Sequence, residues 1–297
     1  MTKAAQLRSL IEKGAVAMPG VPNASMARQV ERAGFDAVYI SGAGLANSTA
    51  GLPDIGLLTL NEVATLAGFI AHAVKIPAIV DADTGFGGAE NIGRTIYELE
   101  RARLAGCHLE DQEFPKRCGH LAGKRLVETE EMAEKIRAAV AAKRDPDFLV
   151  MARTDSRALE NFDGAVKRAN AYVAAGADAI FPEALQTKEE FRDFAREVKV
   201  PLLANMTEFG KSPLLGIREL DELGYRMIIF PQSAFRTAMK ATDEFFRALK
   251  EQGTQTGWLE KMQTRQELYE LLDYDPADES WPGYRTREDV PRPTPDS

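Results

Sequence analysis

Eight short apolar segments recur along this chain, and they constrain its fold more than any other feature. They are nearly continuous runs of Val, Ile, Leu and Ala, a pattern typical of parallel strands that are buried on both faces. They span residues 15–18, 37–41, 77–83, 107–111, 148–155, 178–183, 201–206 and 227–231. Segments with helical periodicity separate them, such as the one that carries Ile92, Ile96 and Leu99. Eight strand–helix units predict an α/β fold, a (β/α)8 TIM-type barrel, with a doubly wound open sheet as the main alternative.

The sequence predicts one catalytic domain followed by a short tail. A chain of 297 residues is long enough for a single barrel. The helical pattern of residues 257–272 predicts a terminal helix that packs on its own barrel or on a neighbouring subunit. We therefore assign residues 1–272 to the barrel domain with its terminal helix. Residues 273–297 contain five prolines and few aliphatic residues, which predicts a mobile Pro-rich tail.

Composition and charge disfavour several classes of protein. Hydrophobic residues make up 44% of the chain and charged residues 28%, as in ordinary globular proteins, and no apolar run approaches the roughly 18 residues of a membrane span. A net charge of −8 disfavours nucleic acid as a partner. The first residues lack the apolar core of a secretory signal, and two cysteines are too few for a disulfide framework. We expect a cytoplasmic protein with neither a nucleic-acid nor a membrane partner.

Most of the apolar segments end in polar residues, which we expect to meet at one mouth of the barrel, where the carboxyl ends of the strands converge. They are Ser41, Asp81, Asp83, Glu110, Asp111, Arg153, Asp155, Glu183, Asn205 and Thr207. Asp81 and Asp83 are two residues apart, so their side chains face the same way. Together with Glu110 and with Asp54 in the loop after the second strand, they favour Mg²⁺ or Mn²⁺ over zinc as a bound metal.

A zinc site built from Cys107, His108, Cys118 and His120 is the weaker interpretation. Cys107 and His108 are adjacent on a predicted strand, so they point to opposite faces of the sheet and would not share one ion without distortion. Cys107 is expected to be buried among aliphatic side chains.

Cys118 lies in a predicted loop with the sequence KRCGH, which we interpret as chemical rather than structural. The neighbouring Lys116 and Arg117 are expected to favour the thiolate and so to make Cys118 a competent proton donor or acceptor near neutral pH. Both cations would also attract a carboxylate substrate. Nucleophilic catalysis by Cys118 with His120 is an alternative that depends on geometry.

Several motifs together resemble the isocitrate lyase and phosphoenolpyruvate mutase superfamily, and within it most closely the 2-methylisocitrate lyases. They are YISGAG, GLPDIG, VDADTGFG, HLEDQ, KRCGH, MARTD, FPEA, LANMTEFG and MQTRQELY, and the likeness covers roughly residues 5–274. The resemblance implies Mg²⁺-dependent cleavage of the carbon–carbon bond of a tricarboxylate, giving pyruvate and succinate, as a step of propionate catabolism in the methylcitrate cycle. Another 2-hydroxy-diacid such as 2,3-dimethylmalate is an alternative substrate. A phosphoenolpyruvate-type mutase or decarboxylase would be a different class of enzyme with the same fold, and a non-catalytic metabolite sensor would be a third class of function.

The resemblance also implies roles for individual residues. Asp81, Asp83, Asp54 and Glu110 would hold the metal, Cys118 would protonate the succinate carbanion, and Tyr39 would be a partner of the reacting hydroxyl. The residues implied in binding substrate or ordering the site are Ser41, Gly42, Ala43, Lys116, Arg117, Gly119, His120, Arg153, Glu183, Asn205 and Thr207. Residues 113–124 would form a lid, and the terminal helix would be exchanged between the subunits of a homotetramer.

Two positions depart from the pattern of the family. Ala43 stands where glycine is common, and Gln232 stands where methylisocitrate lyases have an apolar residue. Phe181 keeps the aromatic residue expected of them. Gln232 therefore leaves the identity of the substrate open.

Overall fold

The computed structural model describes residues 1–278, and within them the strands form a parallel barrel. The strands are β1 Val16–Pro19, β2 Val38–Ile40, β3 Ala78–Asp81, β4 Gly106–Glu110, β5 Leu149–Thr154, β6 Ala179–Pro182, β7 Leu203–Asn205 and β8 Met227–Phe230. Each of the eight predicted apolar segments contains most of one of these strands. The predicted barrel fold is therefore confirmed.

The barrel consists of two sheets joined at two narrow seams. One sheet has the strand order β2-β3-β4-β5-β6 and the other has β1-β8-β7, and every pair is parallel. Single parallel bridges join Gly20 to Tyr39 and Ile180 to Leu202. These bridges connect β1 with β2 and β6 with β7, so the ring of strands closes.

Helices alternate with the strands, as the periodicity predicts. They are α1 Lys3–Lys13, α2 Ala24–Arg32, α3 Gly42–Leu45, α4 Leu60–Ala73, α5 Ala89–Arg101, α6 Thr129–Ala142, α7 Arg157–Ala174, α8 Lys188–Glu197, α9 Ile217–Glu222, α10 Ser233–Gln252 and α11 Arg265–Leu272. A π-helix spans Ala46–Ala50 and a 3₁₀-helix spans Thr256–Lys261. The start of α4 is fixed by a capping box, in which Thr59 and Glu62 bond each other's backbone N–H groups.

The interior of the barrel is filled by apolar side chains, and α1 closes one end of it. Met18, Met151 and Phe181 belong to one buried cluster that also includes Leu7 and Ile11 of α1. Arg8 donates to the carbonyl of Asp147, just before β5 begins, which places α1 at the end where the strands start. The opposite end, where the strands finish, is left for polar side chains.

The chain divides into a compact unit of Met1–Asp243 and a second unit of Glu244–Ser297. Within the second unit, the rings of Phe245 and Trp258 lie 5.7 Å apart. The exchange of the terminal helix between subunits stays a prediction, and so does the division at residue 272. The predicted tail falls largely on residues 279–297, which lie outside the described residues. In residues 1–278, no helix combines the length and the apolarity that a membrane crossing requires.

Candidate active site

Arg153 stands at the centre of a cluster of carboxylates at the carboxyl end of the barrel. Its Nε lies 2.9 Å from Oδ2 of Asp155, while Nη1 and Nη2 lie 3.4 Å from Oε2 of Glu110 and Oε2 of Glu183. These residues end or follow β4, β5 and β6, and all four are buried. The structure thus brings together polar residues from three strand ends, at the mouth where the sequence predicts them.

Lys116 forms a second cationic centre beside this cluster. Its ammonium group lies 2.7 Å from Oδ1 of Asp83 and is also ion-paired with Asp54. The side chain is only 3% exposed, and the charges of Asp81 and Glu110 also act on it. Burial by itself would lower the pKa of Lys116, but these four carboxylates raise it well above its usual value, so the group is an ammonium cation.

Asp81 ends β3 and Asp83 follows it by two residues, although Asp83 departs from an extended backbone. Asp83 has a φ of +47°, and its N–H donates to Oδ1 of Asp81 over 3.0 Å. A Cβ added to Gly42 would lie 3.1 Å from Oδ2 of Asp81 and 3.4 Å from Oδ1 of Asp83, so both carboxylates leave little room for a side chain at this position. Burial raises the pKa of Asp83 to about 6, whereas His108, Lys116 and Arg153 outweigh burial at Asp81 and lower its pKa.

Tyr39 reaches into the barrel and contacts His108. The Tyr39 hydroxyl lies 2.9 Å from Nε2 of His108, and Nδ1 of that imidazole lies 3.7 Å from Oδ1 of Asp81. Burial lowers the pKa of His108 to about 4 and raises that of Tyr39 well above its usual value. Both groups are therefore neutral near pH 7, and Nδ1 of His108 faces Asp81 without a hydrogen-bond partner among the described residues.

Residues 113–124 belong to the connection between β4 and α6 and lie across the mouth of the barrel. His120 Nε2 lies 2.7 Å from Oε1 of Glu183, and the N–H of Lys211 donates to Nδ1 of His120. The ammonium of Lys124 lies 2.8 Å from Oδ1 of Asp155. These contacts tie the loop to the ends of two strands.

Gly119 makes the closest approach of this loop to the charged cluster. A Cβ at this position would lie 2.4 Å from Cγ of Glu183, 2.5 Å from Nη2 of Arg153 and 2.8 Å from Oδ1 of Asp155. Real side chains do not tolerate such distances. Only glycine therefore allows the loop to close against these residues, at the position that follows Cys118 in the chain.

Cys118 is half-buried at this closed mouth, and its ionisation differs from the expectation based on sequence. Burial raises the pKa of the thiol, and with the charges of Asp54 and Glu183 it outweighs the opposing hydrogen bond from the N–H of His120 and the charge of Arg153. The expectation that Lys116 and Arg117 favour the thiolate is therefore wrong. The ammonium of Lys116 is ion-paired with carboxylates. The side chain of Arg117 is exposed and lies 3.5 Å from the carbonyl of Ala122. Although both residues are close to Cys118 in sequence, their charges are therefore directed to other groups. Cys118 is a thiol that holds its proton.

The other predicted substrate residues lie at the same mouth but make fewer contacts. Ser41 caps α3 by accepting from the N–H of Gly44, and the half-buried Ala43 follows within that helix. Asn205 Nδ2 donates to Glu183 over 3.3 Å, and Thr207 is half-buried two residues further on. Arg117 is the exception, because its side chain is exposed and no contact joins it to the cluster of Arg153.

The sequence reasoning misplaced one residue of the site and missed another. Asp111 does not face the mouth; it accepts hydrogen bonds from Thr154 and Tyr172 and from the N–H of Asp155, in a network that also includes Arg168. Its alternation with Glu110 along β4 could have indicated this opposite direction. Lys124 was missed, since no sequence pattern links it to Asp155.

Gln232 lies buried just after β8, with its amide group unpaired. It is 8% exposed, and neither its Oε1 nor its Nε2 has a hydrogen-bond partner among the described residues. A Cβ added to Gly44 would lie 3.9 Å from Nε2, which places the amide beside the segment that follows β2.

The chemistry of the mouth fits a divalent cation held by oxygen ligands. Its carboxylates outnumber its cations, which are Lys116, Lys124 and Arg153. Neither oxygen of the buried Glu110 accepts a hydrogen bond from any residue of the described range 1–278. In residues 1–278, however, no three Asp, Glu, Cys or His side chains are arranged to hold one ion, and this also applies to the quartet considered for zinc. The donor oxygens suit Mg²⁺, although Lys116 now lies among them.

Comparison with known proteins identifies a family model, a curated protein and solved structures that are similar to this chain. A model of the phosphoenolpyruvate phosphomutase family matches residues 7–250. The chain is 53% identical to a 2-methylisocitrate lyase of Aeropyrum pernix over 269 residues, which are 90% of this chain and 86% of that protein. Among solved structures, 2,3-dimethylmalate lyase, a PEP mutase/isocitrate lyase superfamily member, has a TM-score of 0.87 and 40% identity over 92% of each chain. Phosphonopyruvate hydrolase in complex with oxalate and Mg²⁺ has a TM-score of 0.83 and 32% identity, over 92% of this chain and 95% of that one.

Proposed function

The chain belongs to the phosphoenolpyruvate phosphomutase family, and on this premise we propose that it is a lyase that cleaves 2-methylisocitrate into pyruvate and succinate. The observation that carries this proposal is the position of Cys118. It is a protonated thiol on a loop that is tied to the charged cluster of Arg153, Asp155 and Glu183. The 53% identity to a 2-methylisocitrate lyase supports the choice of substrate.

The proposed reaction breaks the bond between C2 and C3 of the substrate. A base removes the proton of the 2-hydroxyl group, the oxygen electrons form the carbonyl of pyruvate, and the electron pair of the C2–C3 bond remains on C3 of the succinate half. That carbanion is delocalised into its adjacent carboxylate. A proton delivered to C3 completes succinate, so the reaction needs neither an oxidant nor a second substrate.

Cys118 would supply the proton to C3. The raised pKa keeps its proton in place until a strong base develops beside it, and the carbanion is such a base. The loop contacts made by His120 and Lys124 would exclude water, which would otherwise protonate the carbanion in competition.

The base that accepts the hydroxyl proton is less directly indicated. Tyr39 is held neutral by burial and contacts His108, so it is suited to orient a hydroxyl group by hydrogen bonding rather than to act as a phenolate. Asp83 is not proposed as the base, because it is ion-paired with Lys116 and is assigned to the cation.

The proposal includes a divalent cation, Mg²⁺ or Mn²⁺, held by Asp81, Asp83, Glu110 and Asp54. When bound, such a cation supplies positive charge to the oxygen atoms of the pyruvate half. The excess of carboxylates at the mouth would otherwise repel an anionic substrate. Mg²⁺ bound with oxalate in the related phosphonopyruvate hydrolase supports the choice of metal.

The cellular setting follows from the proposed substrate. Cleavage of 2-methylisocitrate would serve propionate breakdown through the methylcitrate cycle in the cytoplasm. We extend the proposal to a homotetramer with an exchanged terminal helix, which light scattering after size-exclusion chromatography would test.

The deciding experiment measures pyruvate release from purified protein with Mg²⁺, coupled to lactate dehydrogenase. 2-Methylisocitrate and 2,3-dimethylmalate are compared in parallel, and isocitrate is followed by glyoxylate formation. We expect 2-methylisocitrate to be turned over far better than the other two, and turnover to be lost after chelation. A preference for 2,3-dimethylmalate would correct the substrate, and no turnover of any of them by folded, metal-loaded protein would contradict the lyase activity.

A further inference from the structure

Lys116 contacts carboxylates that the proposal assigns to the cation. Its ammonium is ion-paired with both Asp54 and Asp83, which approach it from the loop after β2 and from the end of β3. Two of the four carboxylates assigned to the cation therefore hold Lys116.

We propose that Lys116 is a stand-in cation that the divalent metal displaces, so that metal binding and the position of the loop are coupled. This inference rests on the cation of the proposed function and adds to it that Lys116 leaves the carboxylates when the metal binds. The lysine balances the acidic site before the metal arrives. It then leaves its carboxylate partners and becomes available to a carboxylate of the substrate.

Electrostatics requires that Lys116 and the metal compete. The lysine is 3% exposed, so little water screens its charge from a second cation held by the same oxygen atoms. Asp83 would have to exchange its contact with the ammonium for one with the metal. An ammonium group is a compact charge on a flexible stem, so it can fill a metal position and withdraw from it by rotation of its own side chain.

The position of Lys116 in the chain couples this exchange to the loop. It lies two residues before Cys118 and four before His120, which contacts Glu183. Movement of Lys116 therefore changes the forces on the segment that carries the proposed proton donor. The coupling is reciprocal. When Lys116 stays paired with Asp54 and Asp83, the affinity for the metal is lower, and bound metal shifts the equilibrium toward the arrangement with Lys116 displaced by the same factor.

The first test compares Mn²⁺ affinity by electron paramagnetic resonance titration, in the absence of substrate. Lys116→Met removes the competing charge. Arg125→Met is the matched control, because it removes an exposed charge just after residues 113–124 that is ion-paired with Glu113. We expect Lys116→Met to bind Mn²⁺ at least about tenfold more tightly than the wild type, and Arg125→Met to bind it equally well. Equal or weaker binding by folded Lys116→Met would overturn the exchange.

The second test uses the wild-type chain, so it does not depend on how the variant folds. Lysine acetylation by an activated ester is measured by mass spectrometry with and without Mg²⁺. We expect Lys116 to be protected without Mg²⁺ and to become more reactive when Mg²⁺ is added, while Lys124, ion-paired with Asp155, stays protected. Protection of Lys116 that Mg²⁺ does not change would overturn the inference.

The outcomes separate this inference from the proposed function. Metal binding by the wild type with no difference in Lys116→Met contradicts only the exchange. If neither protein binds Mn²⁺, the cation of the proposed function fails, and the inference fails with it.

Discussion

His120 Nε2 lies 2.7 Å from Oε1 of Glu183, and this contact joins the loop between β4 and α6 to the end of β6. The imidazole cannot easily turn away, because its Nδ1 accepts from the backbone N–H of Lys211. One side chain thus links the loop, a strand end and the segment after β7. The position of Cys118, two residues earlier, depends on this link.

We expect His120→Gln to loosen the loop and to lower kcat/KM by about 100-fold, because small displacements of a reacting group have effects of that size. Hydrogen exchange of residues 113–124, followed by mass spectrometry, should become faster in the variant. Arg125→Gln, which alters an exposed ion pair of the same loop, is the matched control. Unchanged exchange together with unchanged kinetics would show that the His120–Glu183 contact does not hold the loop.

Cys118→Ser should lower kcat by about 10²- to 10⁴-fold, the usual contribution of a general acid. A hydroxyl group is a much weaker acid than a thiol, so it would not protonate C3 at a comparable rate. Exchange of the methylene protons of succinate with D₂O, followed by NMR, should also be lost. The matched control is Cys107→Ala, which removes the buried thiol of β4. A Cys118→Ser variant that retains both activities would exclude this residue as the proton donor.

Gln232→Leu should stabilise the protein against urea by about 1–3 kcal/mol, the cost of burying an amide without hydrogen bonds. Leucine fills a similar volume and leaves no polar atom unpaired. The same variant allows the substrate preference to be measured, because a polar group near Gly44 is replaced by an apolar one. Loss of stability would indicate that Gln232 has partners that the described residues do not supply.

Asp155→Asn should destabilise the protein by about 3–5 kcal/mol near pH 7, because Arg153 and Lys124 lose a buried anionic partner. These two cations outweigh burial and lower the pKa of Asp155 below its usual value, so its ionised form stabilises the fold. That stabilisation is complete above the pKa of unfolded aspartate, about 4, and is lost progressively as the pH falls further. Urea unfolding should therefore show a smaller difference between variant and wild type near pH 3 than near pH 7. A difference that does not depend on pH would contradict this account.

The barrel and the acidic mouth could be predicted from sequence because each depends on local pattern. Buried parallel strands impose continuous apolar runs, and strand ends place Asp81, Glu110, Arg153 and Glu183 on one rim. The ionisation of Cys118 could not be predicted in this way. It depends on which charges approach in space, and Lys116 is directed toward Asp83 rather than toward the thiol.

The contacts of the loop were the least predictable part of the site. The approach of Gly119 to Arg153 and the pairing of Lys124 with Asp155 connect residues that are more than thirty positions apart or lie on different elements. Sequence indicated a loop but not the partners on which it closes. By contrast, the direction of Asp111 could have been read from its alternation with Glu110.

The two sheets of the barrel contribute different kinds of side chain to the mouth. The charged residues Asp81, Glu110, Arg153 and Glu183 end or follow strands of the five-stranded sheet, whereas Asn205 and Gln232 belong to or follow strands of the three-stranded sheet. Isolated bridges join the two sheets at their seams. A change of Gln232 can therefore alter the polarity of the mouth from the smaller sheet without removing a charged group of the larger one. A change of Asn205 cannot, because its amide donates to Glu183 and so connects the two sheets at this rim.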